Sequence, residues 1–207
     1  MMRKRYGNRK HGRIQSDDYF TKLRDRQGYR SRAAYKLKQI DDRERIFFEG
    51  ATVVELGAAP GGWTQVVTER VGSKGSIFAI DRETIGPIKG ATLIKGDCSE
   101  EKTLVLLSDK IGNRHIDLVL SDMAPRISGI GPKDEAAHSL LVDSALEFCR
   151  TFLRKNGTLV IKIFENGEVN AEIEKIRDNF SSISRRKPKA SRADSNEFYV
   201  VARGYGV

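Results

Sequence analysis

A glycine-rich turn that follows a hydrophobic strand constrains the fold of this chain more than any other feature. Residues 53–65 read Val-Val-Glu-Leu-Gly-Ala-Ala-Pro-Gly-Gly-Trp-Thr-Gln, so an apolar run enters a turn that opens a helix. In an α/β protein such a turn lies at the carboxyl edge of the sheet, where small ligands bind. Gly57, Gly61 and Gly62 are spaced as G-x-x-x-G-G, unlike the dinucleotide fingerprint or the P-loop. The turn therefore predicts a pocket for a nucleoside-like ligand with no phosphate to hold.

Apolar runs alternate with helical stretches along most of the chain. Strands are predicted over 52–56, 76–80, 92–95, 116–121, 158–164 and 197–202, and helices over 31–43, 62–71, 100–109, 134–154 and 168–180, with a short helix starting near residue 19. This alternation predicts βαβ units and a parallel sheet covered on both faces. A further strand near 182–186 precedes the last one without an intervening helix, which predicts an antiparallel hairpin. We expect one Rossmann-like α/β domain with a mostly parallel seven-stranded sheet and a C-terminal antiparallel hairpin.

Three of the predicted strands end in a carboxylate at this same edge. Asp81 follows the second strand, Asp97 the third and Asp122 the fourth. Asp81 lies about 20 residues beyond the glycine turn, where an acidic residue accepts from both ribose hydroxyls of an adenosyl group. Asp97 could accept from an exocyclic amine, although any one of these residues alone could cap a turn. As a set they favour S-adenosylmethionine as the ligand. Trp63 is either a core anchor or an aromatic wall beside it.

Positive charge is concentrated at the N-terminus. The 207 residues carry a net charge of +9, and residues 1–32 hold eleven Lys or Arg against three Asp, which is +8 of that total. We expect residues 1–15 to be a basic, disordered arm and residues 16–207 to form the folded domain. A nearly neutral domain with a basic arm predicts a polyanionic partner such as nucleic acid. The alternative is a solvated tail that serves solubility.

Several classes of protein are disfavoured by the composition. No apolar run approaches the ~18 residues that a membrane span needs, and the basic N-terminus lacks the apolar stretch of a signal peptide. Cys98 and Cys149 lie far apart, as is typical of a reducing compartment, so we expect a cytoplasmic protein. His11, His115 and His138 show no ligand-like spacing, and we expect no metal.

Five ordered motifs carry a resemblance to a known family. They are Tyr-Arg-Ser-Arg-Ala-Ala-Tyr-Lys-Leu at 29–37, Glu-Leu-Gly-Ala-Ala-Pro-Gly-Gly-Trp at 55–63, Ser-Asp-Met-Ala-Pro at 121–125, Val-Ile-Lys-Ile-Phe at 160–164, and Arg-Lys-Pro, Ser-Arg and Glu-Phe-Tyr within 186–199. From about residue 20 to residue 204 the chain resembles the FtsJ (RrmJ) family of S-adenosylmethionine-dependent RNA ribose 2′-O-methyltransferases, which have a class I methyltransferase fold. Two departures are Glu55, where Asp is common, and Glu165-Asn166, where Gln-Gly is familiar.

The resemblance implies a catalytic Lys-Asp-Lys-Glu tetrad, which falls on Lys36, Asp122, Lys162 and Glu197. It also implies cofactor contacts at Gly61, Trp63, Asp81, Asp97 and Asp122, to which the turn adds Gly57 and Gly62. Methyl transfer from a sulfonium needs alignment and removal of the 2′-hydroxyl proton, and Lys162 is the candidate proton acceptor. Alternatively, Lys162 is a cation that stabilises the developing alkoxide. Lys36 could position the ribose and Glu197 could orient either lysine, although each could also be an ordinary surface charge.

Two basic clusters flank the predicted site and are candidates for binding RNA. They comprise Arg24, Arg26, Arg30 and Arg32 in the first and Arg185, Arg186, Lys187 and Arg192 in the second. Arg and Lys neutralise phosphates, and a sugar-directed enzyme needs recognition of shape more than of bases. The resemblance implies a uridine ribose in large-subunit ribosomal RNA as the target of a monomeric enzyme. A tRNA methyltransferase and a non-catalytic RNA chaperone or ribosome assembly factor are the alternatives.

Overall fold

Helices and strands alternate through residues 19–126, 128–192 and 194–206, which are the residues that the computed structural model describes. The strands are β1 (Thr52–Leu56), β2 (Ser76–Asp81), β3 (Ala91–Lys95), β4 (Ile116–Ser121), β5 (Leu153–Phe164), β6 (Phe180–Arg186) and β7 (Glu197–Tyr205). The helices are α1 (19–27), α2 (Ala33–Glu44), α3 (Gly62–Val71), α4 (Glu101–Ile111), α5 (Gly131–Phe152) and α6 (Val169–Arg177). The predicted basic arm, residues 1–15, lies outside the described residues and stays a prediction.

The seven strands form one sheet in the order β3-β2-β1-β4-β5-β7-β6. Strands β1 to β5 pair in parallel, and β7 runs antiparallel to both β5 and β6. This confirms the predicted mostly parallel sheet with a C-terminal antiparallel hairpin. The strand order runs outward in opposite directions from β1 and β4, so the carboxyl ends of these two strands form the switch point at which doubly wound sheets bind ligands.

Both faces of the sheet are covered by helices because its central strands are apolar on both sides. All five residues of β1 are buried. Successive strand side chains point to opposite faces, so Val54 packs into the core beneath α4, α5 and α6, whereas Val53 packs beneath α2 and α3. Burying each such side chain contributes about 1.5–3 kcal/mol, and this double burial fixes the sheet between its two helical layers.

Strand β5 begins earlier than the apolar pattern predicts. Helix α5 ends at Phe152 and the strand starts at the next residue, five residues before the predicted start at 158. Leu153 pairs with Ile116, and a register shift follows before the regular pairing resumes at Leu118. The exposed polar residues at 154–156 hide this first part of the strand from a hydrophobicity pattern. Among the described residues no helix combines the length and apolar character needed to cross a membrane.

The glycine turn brings the end of β1 against the segment that follows β4. Gly57 has φ +76°, and a Cβ atom on it would lie 2.8 Å from Met123 Cγ. Gly61, which precedes α3, has φ +107°, and a Cβ atom there would lie 2.5 Å from Ile88 Cδ1. Both positions need glycine for the left-handed backbone and for the close approach.

We expect Gly57→Ala to destabilise the fold more than Gly112→Ala does. Gly112 also has a positive φ, +59°, but a Cβ atom there would meet nothing within 4 Å. Both variants should lose about 1–2 kcal/mol from the left-handed backbone. Gly57→Ala should lose about 1–3 kcal/mol more of its free energy of unfolding, because Met123 must move. Urea unfolding measures both losses, and equal values would show that the contact with Met123 costs nothing.

Candidate active site

A cavity of about 410 Å³ lies at the carboxyl ends of β1 to β4. Its volume is within the range of sites for small molecules. Gly57, Asp81, Asp97 and Asp122 line it, together with residues that include Ala59, Arg82, Ser99, Met123 and Leu141. The structure therefore brings the three predicted strand-end carboxylates into one cavity.

Hydrogen bonds hold two of these carboxylates in place. Asp81 accepts from the backbone N–H of Ala59 at 2.8 Å and of Glu83 at 2.7 Å, which ties it to the glycine turn. Asp97 accepts from the backbone N–H and the hydroxyl of Ser99, at 3.0 and 2.7 Å, and from Arg82 Nε at 2.7 Å. Burial raises the pKa of Asp97, but the bonds from Ser99 and Arg82 outweigh it and hold this pKa below its usual value. Since a carboxylate offers about four acceptor positions, Asp81 can still accept from a ligand, whereas the two bonds from Ser99 and the two contacts from Arg82 occupy those of Asp97.

Trp63 and the last two glycines of the turn do not line this cavity. The Trp63 indole N–H donates to the carbonyl oxygen of Ala33 at 2.7 Å, and the ring is buried 5.5 Å from that of Tyr199. The indole thus anchors α2 to α3 in the core, which favours the first of the two interpretations of Trp63. Gly62 packs against Ser31, where a Cβ atom would lie 2.2 Å from the hydroxyl oxygen. Gly61 and Gly62 thus let the turn pack closely against Ile88 and Ser31, outside the lining of the cavity.

Lys162, which is buried, and Asp122, which is partly buried, form an ion pair beside the cavity. Lys162 lies on β5, and its Nζ donates to the backbone carbonyl of Asp122 at 2.7 Å and lies 3.1 Å from Asp122 Oδ1. The Tyr199 hydroxyl donates to the same Oδ1 atom at 2.8 Å. Burial and the negative charges of Asp122 and Glu197 hold the pKa of Tyr199 well above its usual range, so the phenol remains a donor. Sequence reasoning did not single out Tyr199, although it stands two residues after Glu197 in the last motif.

Lys36 and Glu197 form a second ion pair on the other side of Tyr199. Their side chains are hydrogen-bonded and only 12% and 11% exposed. The Lys36 Nζ also lies 5.9 Å from the centre of the Tyr199 ring. Burial raises the pKa of Glu197, but the hydrogen bond and charge of Lys36 and the charge of Lys162 outweigh it, so that pKa is lowered. The structure thus brings the four residues of the predicted tetrad together from α2, β5, β7 and the end of β4.

A second cavity, of about 450 Å³, adjoins the Lys36–Glu197 pair. Its lining residues are Arg32, Lys36, Arg192, Asp194, Ser195 and Glu197. The first cavity reaches the tetrad at Asp122, and the second reaches it at Lys36 and Glu197. The tetrad therefore lies between an acidic cavity and one with several cations.

Some arginines predicted to bind RNA have hydrogen-bond or ion-pair partners within the protein. The Arg30 guanidinium donates to the carbonyl oxygens of Gly86, Pro87 and Pro60, at 2.7, 2.6 and 3.3 Å, so it fastens the glycine turn to the segment after β2. Arg24 pairs with Asp25 at 2.6 Å. Arg30 thus uses several of its donors within the protein, and its contact with RNA stays a prediction.

The second predicted cluster divides in the same way. Arg185 pairs with Glu165, and its guanidinium carbon lies 3.6 Å from the centre of the Phe198 ring. Arg186 pairs with Glu44, which also accepts from Arg203 at 2.7 Å. Burial raises the pKa of Glu44, but the two arginines outweigh it and lower that pKa, so the Glu44 carboxylate is charged and contacts both arginines. Arg185 and Arg186 therefore have partners within the protein, and their contact with RNA stays a prediction.

The remaining predicted cations are more exposed. Arg26 is exposed on α1, and Arg192 and Arg32 line the second cavity. Lys187 is exposed and donates to the carbonyl oxygen of Ser195 at 2.9 Å. These four residues stay candidates for contact with RNA.

His138 lies in the core, where its Nδ1 is 2.9 Å from an oxygen of the buried Glu172. In the part of the chain that the structure describes, no group of three or more His, Cys, Asp or Glu side chains is arranged to hold a metal ion.

Glu55, where this chain departs from the family pattern, lies directly behind the cavity. It is 1% exposed on β1 and accepts from the Thr64 hydroxyl at 2.6 Å. Burial raises the pKa of Glu55 to about 8; the bond from Thr64 offsets part of this, and the charges of Asp122 and Asp81 add to it. Glu55 is therefore largely protonated at neutral pH.

The doubly wound sheet, the acidic cavity at its switch point and the antiparallel last strand define an α/β protein of the methyltransferase class. The family model described as FtsJ-like methyltransferase matches residues 29–205, and the chain belongs to this family. It is 42% identical over 185 residues to the ribosomal RNA large subunit methyltransferase E of Methylobacillus flagellatus, with 89% of each chain covered.

Solved structures share the fold. A crystal structure described as a ribosomal RNA methyltransferase from Plasmodium falciparum superposes with a TM-score of 0.77 at 26% identity, covering 86% of this chain and 98% of that one. A structure described as an rRNA methylase from Clostridium thermocellum, at 19% identity, has a TM-score of 0.55 over 82% of this chain and 97% of the other. At that identity the second likeness concerns the fold alone.

We expect Glu55→Gln to remove a pH dependence of stability. The pKa of Glu55 is raised by burial to about 8 in the folded protein, against about 4.3 when unfolded. Its contribution to stability is therefore complete below the unfolded pKa and is lost as the pH rises through the folded pKa. Between about pH 5 and pH 8.5 the natural protein should lose on the order of 4 kcal/mol relative to Glu55→Gln.

Urea unfolding of both proteins across this pH range measures the difference. Other titrating groups affect the two proteins equally, so the difference between the two stability profiles reports the titration of Glu55 alone. Parallel stability profiles would show that Glu55 is not protonated in the fold.

Proposed function

We propose that this protein transfers the methyl group of S-adenosylmethionine to the 2′-hydroxyl of a ribose, that of a uridine, in large-subunit ribosomal RNA. One observation carries the proposal: a buried tetrad with two lysines separates an acidic cavity from a cation-lined one. Such an arrangement offers a place for a cationic cofactor on one side and for a polyanionic acceptor on the other, with a proton acceptor between them.

The first cavity fits the cofactor by its chemistry. Asp81 and Asp122 offer acceptors to ribose hydroxyls and a cationic sulfonium, and Asp97 adds a third negative charge. When bound, S-adenosylmethionine supplies an electrophilic methyl group whose sulfur leaves as a neutral thioether. No acid is therefore needed on the leaving side, in keeping with the acceptors that line this cavity.

Lys162 is suited to accept the proton of the 2′-hydroxyl. Its Nζ is held by the Asp122 carbonyl at 2.7 Å and by Oδ1 of the same residue at 3.1 Å, which uses two of its substituent directions. In the neutral amine, the lone pair remains for the proton as the 2′ oxygen bonds to the methyl carbon.

Lys36 and Glu197 are suited to position the acceptor ribose. Both line the second cavity, and the bond between them holds the Lys36 ammonium in place within the tetrad. Arg192 and Arg32 line the same cavity, where they can meet the phosphates on either side of the target ribose. Holding the two reactants in line removes much of the entropic barrier to transfer.

The likeness to a named large-subunit ribosomal RNA methyltransferase supports ribosomal RNA, or the large ribosomal subunit, as the substrate of a monomeric cytoplasmic enzyme. A tRNA substrate would fit the same chemistry. The complete tetrad argues against a non-catalytic RNA chaperone or assembly factor, because such a protein has no need for two buried lysines at a methyl-donor cavity.

Incubation with labelled S-adenosylmethionine and total RNA, or assembled subunits, from a strain that lacks the gene tests the substrate. We expect label in large-subunit ribosomal RNA after separation by size. Label in RNA of tRNA size would replace the substrate and keep the activity. Label in no fraction, assembled subunits included, would overturn the proposed reaction.

We expect Lys162→Ala to lower the rate of methyl transfer by ~10² or more, the range seen when a general base is lost. S-adenosylmethionine should still bind, because Lys162 does not line that cavity and Asp122 keeps its hydrogen bond from Tyr199. Lys175→Ala is the matched control, since Lys175 also pairs with a carboxylate, Asp143 at 2.7 Å, but on an exposed surface. Single-turnover transfer and equilibrium binding of the cofactor measure the two effects. Turnover near that of the natural protein would exclude Lys162 from the mechanism.

A further inference from the structure

A third cavity, of about 420 Å³, lies outside the tetrad, between the second half of α2 and the segment that leaves β6. We call it the α2 groove. Its lining residues are Gln39, Ile40, Asp42, Arg43, Arg186, Lys187, Pro188 and Lys189. Among these, Ile40 and Pro188 are buried, whereas Arg43, Lys187 and Lys189 are exposed. The groove thus combines buried apolar residues with exposed cations.

The charges in the α2 groove are not all available to a ligand. Arg186 pairs with Glu44, which it shares with Arg203, and the Asp42 carboxylate lies 3.3 Å from Arg70. Within the described residues the side chains of Arg43 and Lys189 have no hydrogen bond or ion pair. Lys187 uses one donor on the Ser195 carbonyl and keeps two others. Three cations with free donors therefore face a groove whose carboxylate is already paired.

The α2 groove and the second cavity are built from the same two parts of the chain. Both lie between α2 and the connection from β6 to β7, one at Lys36 and the other at Arg43. Seven residues of helix separate these two positions, which is about 10 Å at 1.5 Å per residue. That length corresponds to about three stacked nucleotides at ~3.4 Å each.

We propose that the α2 groove binds the phosphate backbone of single-stranded RNA next to the target ribose. On this path the strand leaves the tetrad beside Lys36 and follows α2, with phosphates at Arg43, Lys187 and Lys189. A single strand fits better than a duplex, because a sugar or base can pack on the apolar floor while the cations meet phosphates. The inference rests on the proposed function and assigns an RNA path to that site.

The test compares two pairs of substitutions that remove equal charge. Arg43→Ala with Lys189→Ala empties the α2 groove of its two unpaired cations. Lys102→Ala with Lys110→Ala is the control, since both lysines are on α4, which covers the opposite face of the sheet. All four side chains are exposed, and neither pair belongs to the tetrad or lines the cofactor cavity.

Binding of a short single-stranded RNA oligonucleotide is measured over a range of salt concentrations. The groove variant should reduce the slope of log K against log salt by about 1.4, or ~0.7 for each lost phosphate contact. In methylation assays its KM for RNA should rise with kcat unchanged, because the contact is equal in the ground and transition states. Unchanged cofactor binding and thermal unfolding would show that the fold is intact.

Two results would overturn the proposal. One is a salt slope in the groove variant equal to that of the α4 control. The other is a loss confined to duplex RNA of the same sequence, which would assign the groove to a duplex. Because binding is measured without methyl transfer, failure of the labelling experiment and failure of this one are distinguishable.

Discussion

The carboxyl group of Asp122 is the point on which the site depends. Asp122 follows β4 at the switch point of the sheet, and the backbone N–H of Asp122 donates to the carbonyl oxygen of Leu56 on β1 at 3.2 Å. Its carbonyl and its side chain both hold Lys162, and the same side chain accepts from Tyr199. One residue therefore joins β1, β4, β5 and β7 at the wall of the first cavity.

This arrangement explains why two lysines can be buried so close together. A buried ammonium without a partner costs several kcal/mol, and removing one member of a buried pair is strongly destabilising. Lys162 has Asp122, and Lys36 has Glu197, with the Tyr199 ring between the two pairs. Each charge is compensated locally, so the pairs can lie side by side next to the place where, in the proposed reaction, a hydroxyl loses its proton.

The basic residues serve two separate purposes. Arg30, Arg185 and Arg186 have partners within the protein and hold turns and strands together. Arg43 and Lys189, which have no such partners among the described residues, lie along one groove beside α2. Net charge alone would treat these residues as one positive surface. The contacts separate cations that stabilise the fold from cations that can bind a phosphate backbone.

The fold and the acidic cavity were largely predictable because their signals are local. Strand runs, the glycine turn and the carboxylates at 81, 97 and 122 all follow from residues that are close in sequence. The roles of Trp63 and Arg30 depend on distant partners, Ala33 in one case and the segment at 86–87 in the other, which no local pattern reveals. The pairing of Lys36 with Glu197 joins positions 161 residues apart, and only the family resemblance indicated it.

The central claim is that the tetrad directs the methyl group to a ribose hydroxyl. The most direct measurement is nucleoside analysis of RNA that the protein has methylated with labelled S-adenosylmethionine, after complete enzymatic digestion. The account predicts that all label co-migrates with a 2′-O-methylated nucleoside, 2′-O-methyluridine. It also predicts that the phosphodiester bond on the 3′ side of that nucleotide resists alkali. Label in a base-methylated nucleoside, with the adjacent bond cleaved by alkali, would contradict it.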